Sequence, residues 1–217
     1  MKNILFTLAL LISFASFGQL DNGEKIRYYG NGAVFSKENY VDGKRQGEKI
    51  QYYKSEKKVK YRANYVDGKL QGEFIWYYES GAIESKVKYI DGKKQGEETG
   101  YHKSGAVQYK VNFVDGKEQG EVTGYYESGK VKHITNFVDG KLQGEGINYY
   151  ESGAIEKKVN FVDGKRQGEK IKYYESGAVK MKENYVDGKE QGESTEYYEN
   201  GEIKEIKNYK DGELIEN

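Results

Sequence analysis

The chain has 217 residues with 35 Lys+Arg and 35 Asp+Glu, 28 glycines, 22 tyrosines, and neither proline nor cysteine. The balanced charge provides no field for nucleic acid or an anionic surface, so no nucleic-acid partner is expected. The lack of cysteine excludes a disulfide framework and a thiol nucleophile. The lack of proline fits continuous β-strands, because proline cannot donate to a strand ladder.

The first residues predict a signal peptide over 1–18. Lys2 precedes an apolar run from Ile4 to Ile12, and small residues follow, so that cleavage is expected after Gly18. The run is short for a membrane span, although an uncleaved anchor is the alternative. The mature protein is therefore expected to be exported, whether periplasmic, on the cell surface or secreted.

Residues 19–217 are predicted to form one array of eight repeats. One copy, Tyr149 to Glu169, reads YYESGAIEKKVNFVDGKRQGE. Asp-Gly dipeptides return every 24 residues, except for a spacing of 25 between the first two. They begin at Asp42, Asp67, Asp91, Asp115, Asp139, Asp163, Asp187 and Asp211. Such self-similarity indicates a repeat architecture in which each unit contacts only its neighbours.

Between the glycine turns, apolar and polar residues alternate with period two, which predicts half-buried strands. Both turns fit three-residue hairpin loops that end in a left-handed glycine, namely Val162-Asp163-Gly164 and Glu175-Ser176-Gly177. This register places Phe161 opposite Lys165, Ile155 opposite Ile171, Tyr174 opposite Ala178 and Tyr173 opposite Val179. One face is then predicted to carry Ile155, Val159, Phe161, Ile171, Tyr173 and Val179. The other face is predicted to carry Lys170, Lys172, Tyr174, Lys180 and Asn184.

The predicted fold class is all-β, an elongated single-layer antiparallel meander of stacked hairpins that strand twist coils. Eight repeats of two strands give about sixteen strands. The extra residue in the 25-residue spacing must lie in a loop, because a slip of one residue inverts the faces. Glu56 or Lys57 stands where other repeats have the Ser-Gly glycine, so a four-residue loop is expected there.

The repeat resembles the short bacterial variant of the MORN repeat (membrane occupation and recognition nexus) in its aromatic pair, polar-Gly turn, Asp-Gly-Lys and Gly-Glu step. The resemblance covers roughly residues 23–212. It implies stacked antiparallel hairpins and a scaffold or interaction module, with a protein as the first expected partner. It also leaves open phospholipid binding, glycan binding and an antitoxin-like component.

No catalytic or metal site is expected. The two histidines lie in different repeats: His102 replaces the second tyrosine of a pair, and His133 is predicted to face Glu145 across the ladder. Each turn offers a single aspartate, whereas calcium loops cluster several carboxylates. The leading function is thus an exported, non-enzymatic protein-binding or scaffold module at the cell envelope, without a cofactor. The alternative is a carbohydrate- or membrane-surface-binding module.

The first tyrosine of each pair lies in a stripe along the array. Either coiling of the sheet buries this stripe against itself, which is the favoured interpretation, or a partner covers it. The stripe comprises Tyr28, Tyr52, Tyr77, Tyr101, Tyr125, Tyr149, Tyr173 and Tyr197.

Departures from the repeat point to one candidate partner-binding site. It consists of Phe74, Trp76, Tyr78, Gly100 and Gly124. In the predicted register these residues lie on the polar face, with Lys60 and Lys86 beside Phe74 and with Lys58 and Glu84 beside Trp76. The two glycines, together with Gly146, would leave a bare trough next to an aromatic ridge, suited to a peptide or a sugar. Neutral drift of a tolerant repeat is the alternative explanation.

Overall fold

The computed structural model describes residues 22–55 and 58–215, so the predicted signal peptide lies outside the described residues. These residues form a single antiparallel sheet of 20 strands in one layer, as predicted. In the described part, no helix is long and apolar enough to cross a bilayer.

The strands follow the chain as a simple meander. The first ten are β1 (Gly23–Tyr28), β2 (Val34–Val41), β3 (Lys44–Tyr52), β4 (Val59–Val66), β5 (Lys69–Tyr77), β6 (Ile83–Ile90), β7 (Lys93–Tyr101), β8 (Val107–Val114), β9 (Lys117–Glu118) and β10 (Gly120–Tyr125). The others are β11 (Val131–Val138), β12 (Lys141–Leu142), β13 (Gly144–Tyr149), β14 (Ile155–Val162), β15 (Lys165–Tyr173), β16 (Val179–Val186), β17 (Lys189–Glu190), β18 (Gly192–Tyr197), β19 (Ile203–Lys210) and β20 (Glu213–Ile215). The count exceeds the predicted sixteen mainly because Gln119, Gln143 and Gln191 each interrupt a long strand.

The Asp-Gly turn is shorter than predicted. Val162 lies opposite Lys165, so only Asp163 and Gly164 form the loop. Both have positive φ, at 50° and 83°, as a type I′ turn requires. The aspartate of each Asp-Gly turn has φ between 49° and 53°. The predicted three-residue loop, with Phe161 opposite Lys165, is therefore wrong at this turn.

A glycine bulge follows the Asp-Gly turns, except the last one at Asp211-Gly212, and shifts the register again. Phe161 lies opposite Arg166, but Val159 lies opposite Lys170, so β15 carries extra residues between the two pairs. Gly168, within this bulge, has φ of 77°. The bulge adds two residues and therefore shifts the partners without exchanging the faces, whereas the two-residue turn exchanges the faces relative to the prediction. Ile171 consequently lies opposite Lys158, and the predicted pairing of Ile155 with Ile171 is wrong.

The Ser-Gly turn has the predicted three-residue loop. The amide of Tyr174 donates to the carbonyl of Ala178 at 2.8 Å, and the amide of Gly177 donates to the carbonyl of Tyr174 at 2.9 Å. Tyr173 pairs with Val179, also as predicted. In repeat two the corresponding bond joins Tyr53 to Lys58, which makes the loop one residue longer. Glu56 and Lys57 themselves lie outside the described residues.

The corrected register changes the composition of both faces, and the prediction of a single apolar face is wrong. Val159 shares its face with Lys170, while Ile171 and Tyr173 lie on the other face. We call the face with the buried side chains the inner face; in the repeat that begins at Gly72 it carries Phe74, Trp76, Ser85, Val87 and Tyr89. The outer face there carries Glu73, Ile75, Tyr77, Lys86 and Lys88.

The tyrosine stripe lies on the outer face and is only half-buried, and Tyr28 at one end is 60% exposed. The array thus buries the stripe in part through cross-strand neighbours. The best-buried apolar side chains instead lie on the inner face, where Ala63, Phe74 and Val87 form a continuous cluster across three strands.

Hydrogen bonds at both ends of the strands, along the two rows of turns, connect successive repeats. We call these rows the Asp-Gly edge and the Ser-Gly edge. At the Asp-Gly edge, the side-chain oxygen of Gln71 accepts the amide of Asp91 at 3.0 Å, and the same bond recurs along the array. At the Ser-Gly edge, the hydroxyl of Tyr78 donates to the carbonyl of Tyr101 at 2.6 Å, again in a recurring pattern. Each repeat is therefore fixed to the next by side chains as well as by the ladder.

Replacing Asp115 tests the type I′ turn. Alanine is expected to lower the free energy of unfolding by about 1 kcal/mol, because an ordinary L-residue pays to adopt left-handed φ. Asparagine, which tolerates that conformation, is expected to stay within about 0.5 kcal/mol of the parent. Urea unfolding followed by circular dichroism measures both, and equal stability of the two variants would contradict the turn assignment.

Candidate binding groove on the inner face

Four of the residues predicted for the site lie in two neighbouring rows of the inner face. Trp76 lies opposite Ser85, which lies opposite Gly100 on the next strand. Gly100 and Gly124 both lie opposite Tyr109, which stands between them. Phe74 is two residues from Trp76 on the same strand and so shares its face. Four of the five predicted residues thus lie together, on the inner face rather than on a polar one.

The neighbours of Phe74 and Trp76 differ from the prediction. Ala63 and Val87 flank Phe74, while Tyr61 and Ser85 flank Trp76. The predicted lysine and glutamate neighbours are wrong for two reasons. On the β4 side, the two-residue Asp-Gly turn and the glycine bulge shift the register, and on the β6 side a bulge between Trp76 and Tyr77 shifts it. The ring centroid of Phe74 lies 3.7 Å from that of Trp76 in a stacked arrangement. The centroid of Phe74 also lies 5.0 Å from that of Tyr61, so the ridge is an aromatic cluster.

The glycines do not leave a bare trough, because rings from the next strand lie across them. A Cβ built on Gly100 would lie 2.1 Å from Cε1 of Tyr109. A Cβ on Gly124 would lie 2.1 Å from Cε1 of His133. His133 accordingly lies opposite Gly124 and Asn148, and not opposite Glu145 as predicted. The glycines are needed for close approach of an aromatic ring.

Alanine at Gly100 is expected to lower the free energy of unfolding by about 1–3 kcal/mol, because the added methyl displaces the Tyr109 ring. Gly30 provides the matched control, since its Cβ would meet nothing within 4 Å and it has no left-handed φ. Alanine there is expected to be close to neutral. Equal effects of the two substitutions in a thermal melt would contradict the ring placement.

Tyr109 is held by a polar network in the floor of the groove. Its hydroxyl donates to Oε1 of Glu98 at 2.9 Å, and Lys94 pairs with the other oxygen of that carboxylate. Glu98 is buried, so this carboxylate has its partners within the protein. Burial and the hydrogen bond to Glu98 raise the pKa of Tyr109 far above its usual range. The hydroxyl therefore remains a donor at any physiological pH.

Two hollows open beside Tyr109, and we call them together the binding groove. The first has a volume of about 340 Å³ and is lined by Trp76, Glu84, Ser85, Lys94, Glu98, Gln108 and Tyr109. The second has about 240 Å³ and is lined by His102, Gln108, Tyr109, Tyr125, Lys132 and His133. Gln108 and Tyr109 belong to both, so the groove continues from repeat three into repeat five.

Tyr78, the fifth predicted residue, lies at the Ser-Gly edge, and its hydroxyl is used in the bond to the next repeat. His102 makes the equivalent contact, with Nε2 lying 3.1 Å from the carbonyl of Tyr125. Because a carbonyl only accepts, Nε2 must carry the proton. Burial, together with Lys132 and Lys157, lowers the pKa of His133. No group of metal-ligating side chains comes together in the described residues.

A protein-family comparison matches six consecutive units to the MORN repeat variant. The matched ranges are 70–91, 94–115, 118–139, 142–163, 166–187 and 190–211. The chain belongs to the MORN repeat family. The strands over 23–66, ahead of the matched units, continue the same turns and bulges. MORN repeats are generally protein- or membrane-binding modules.

Other comparisons add little to this assignment. No curated protein is detectably similar to this MORN chain. Among solved structures, a mutant of S. aureus TarM is 14% identical, with a TM-score of 0.25 over 56% of this chain and 19% of its own. A GtfA/B complex is 12% identical, with a TM-score of 0.19 over 63% of this chain and 24% of its own. A porin-like protein from Bacteroides uniformis is 11% identical, with a TM-score of 0.25 over 88% of this chain and 86% of its own. The chain thus spans about a quarter or less of the first two, and such low TM-scores carry no argument.

Several groove residues were missed from the sequence, notably Tyr109, Glu98 and Lys94. The predicted register placed Tyr109 on the face opposite to Gly100. Tyr109 falls opposite Gly100 because a bulge next to the Ser-Gly turn shifts the register between Gly100 and Tyr101. The alternating pattern of the strand alone gives no signal for this bulge.

Proposed function

We propose that this MORN repeat protein is an exported, non-enzymatic module that binds a protein partner at the cell envelope through the inner-face groove. The observation that carries the proposal is the aromatic cluster of repeat three. Phe74 and Trp76 replace residues that are mostly polar or glycine elsewhere, such as Lys170 and Lys172. A partly exposed tryptophan beside a hollow is typical of the residues that dominate protein interfaces.

The chemistry of the groove supports a protein ligand. Its aromatic wall can bury apolar surface, while Glu84, Lys94 and Gln108 lie around its rim and floor. This combination of an apolar anchor with a polar rim matches the anatomy of protein interfaces. The proposal of export rests on the signal-peptide pattern of residues 1–18.

A photo-crosslinking amino acid at Gln108 tests the proposal, because this residue is exposed and lines both hollows. Incorporated at this position, it is expected to capture one discrete protein from intact cells. The same amino acid at Glu145, exposed on the outer face, serves as the control. The captured protein, once purified, should bind the parent chain and lose affinity for the Trp76→Ala variant.

Two further arms separate the alternative functions. Vesicles of neutral and anionic lipid test a membrane surface, and a glycan array tests carbohydrate. The proposal would be contradicted if the chain bound vesicles or a glycan, if Trp76→Ala abolished that binding, and if no protein was captured at position 108. Equal capture at positions 108 and 145 would also contradict it.

A further inference from the structure

In several repeats, the second tyrosine of the pair, at the Ser-Gly edge, binds a lysine ammonium of the chain itself. The ammonium of Lys60 lies 5.7 Å from the ring centroid of Tyr53. Lys132 lies 5.5 Å from the ring of Tyr126, and Lys180 lies over another such ring at the same distance. Each of these is a cation–π contact at the edge of the sheet.

One structural position provides all of these lysines. It is the unpaired residue of the bulge at the start of the strand that follows the Ser-Gly turn. Lys60 is one example, since Tyr61 and Val59 have partners on the neighbouring strand and Lys60 has none in the ladder. The bulge directs this side chain over the second tyrosine of the pair. The contact is thus a product of the repeat geometry.

In repeat three this position holds Glu84, and in repeat six it holds Glu156. Among the described residues, none of the cation–π contacts falls on the corresponding tyrosines, Tyr78 and Tyr150. Burial and the Glu84 carboxylate raise the pKa of Tyr78. The position that elsewhere holds the chain's own cation therefore holds an anion.

The two glutamate positions differ in their surroundings. Glu84 lines the 340 Å³ hollow together with Trp76 and the buried Glu98. Next to Glu156, the inner-face row instead contains Lys157 opposite Lys172. Two lysines there repel a further cation, whereas an aromatic wall and the Glu84 carboxylate attract one. Of the two glutamate positions, the one at repeat three therefore suits a positively charged guest.

We propose that the groove at Trp76 and Glu84, next to the Ser-Gly edge that carries Tyr78, binds a basic side chain, arginine above all, of the partner protein. This inference rests on the proposed protein-binding function and specifies the part of the partner that is recognised. A guanidinium is planar, stacks on aromatic rings and pairs with a carboxylate in one geometry, which an ammonium cannot do equally well. Among the described residues, no hydrogen bond or ion pair engages the side chain of Glu84, so its carboxylate can pair with a guest, whereas Lys94 and Tyr109 already occupy Glu98.

Trp76 is the only tryptophan of the chain, so its fluorescence reports on this groove alone. The probe is an acetylated Arg-Gly-Arg amide, and the matched control peptide carries citrulline in place of arginine. Citrulline keeps the shape and loses the charge. The arginine peptide is expected to give a saturable change in fluorescence, and the citrulline peptide is expected to bind about tenfold more weakly.

Glu84→Lys is the decisive variant, because it gives repeat three the lysine that repeats two, five, seven and eight already carry. It is expected to fold normally, as checked by its melting temperature, and to abolish the preference for arginine over citrulline. Glu73→Lys makes the same change of charge on the outer face and is expected to retain the preference.

Equal binding of the two peptides, no binding of either, or unchanged binding by Glu84→Lys would each overturn the inference. These outcomes are distinct from failure of the proposed function. A protein captured at position 108 that binds Glu84→Lys as well as the parent would leave the function intact and exclude recognition of a basic side chain.

Discussion

Replacing Phe74 by alanine is expected to lower the free energy of unfolding by about 3 kcal/mol, the low end of the range for buried phenylalanine. Phe74 is only 7% exposed, and its ring stacks on Trp76 and contacts Tyr61 and Tyr89. Removing it leaves a cavity between Ala63 and its other neighbours, in a single layer that offers few atoms to collapse into the space. Urea unfolding, followed by circular dichroism, measures the change.

Ile75 provides the control, since it is the adjacent residue on the same strand but lies half-buried on the outer face. Alanine at Ile75 is expected to cost about 1 kcal/mol, because less apolar area leaves water. A larger loss of unfolding free energy for Ile75→Ala than for Phe74→Ala would contradict the placement of the core on the inner face.

Replacing Glu38 by glutamine is expected to cost about 2 kcal/mol at neutral pH. The Glu38 side chain is 1% exposed, and three cations surround it: Arg45 at 2.8 Å, Arg27 at 3.4 Å and Lys49 at 3.4 Å. Removing a buried charge leaves its partners without compensation, which is costly even though two of the three cations still reach water.

The pH dependence of this effect follows from the pKa of Glu38. Burial alone would raise it, but Lys49, Arg45 and Arg27 lower it overall, below the ordinary value of 4.5. The ionised side chain therefore stabilises the fold fully above pH 4.5, and this stabilisation is lost as the pH falls through the lower pKa of the folded state.

The stability difference between the parent and Glu38→Gln is accordingly expected to be constant above about pH 5 and to shrink on acidification below about pH 4.5. Unfolding curves at a series of pH values measure it. The exposed Glu24, replaced by glutamine, serves as the control and is expected to show little effect. A difference that grows on acidification would contradict the assignment.

Much of the fold could be predicted from the sequence, because two glycine turns in each repeat and strict alternation leave few other structures. The Ser-Gly loop and the meander followed directly. The Asp-Gly loop could not be decided in the same way, since aspartate before glycine suits both two- and three-residue loops. A three-residue loop is predicted only if all apolar residues are assumed to share one face. That assumption fails, because the inner face buries Lys170 opposite Val159.

The candidate site was predictable in part, for a related reason. Trp76 and Gly100 stand out from the repeat pattern wherever the strands pair, so the sequence alone singles them out. Their neighbours depend on the register, and a single slip exchanges every partner. Tyr109 and Glu98 were therefore missed, although their side chains form the floor of the groove.

The register is tested most directly by paired cysteines, since the chain has none of its own. The structure places Lys158 opposite Ile171, whereas a three-residue Asp-Gly loop would place Ile155 there. The double variant Lys158→Cys, Ile171→Cys is expected to form an intramolecular disulfide under mild oxidation. The double variant Ile155→Cys, Ile171→Cys is not expected to form one, because position 155 lies about 10 Å along the strand from the partner of Ile171. The reverse result would contradict the inner face and with it the groove.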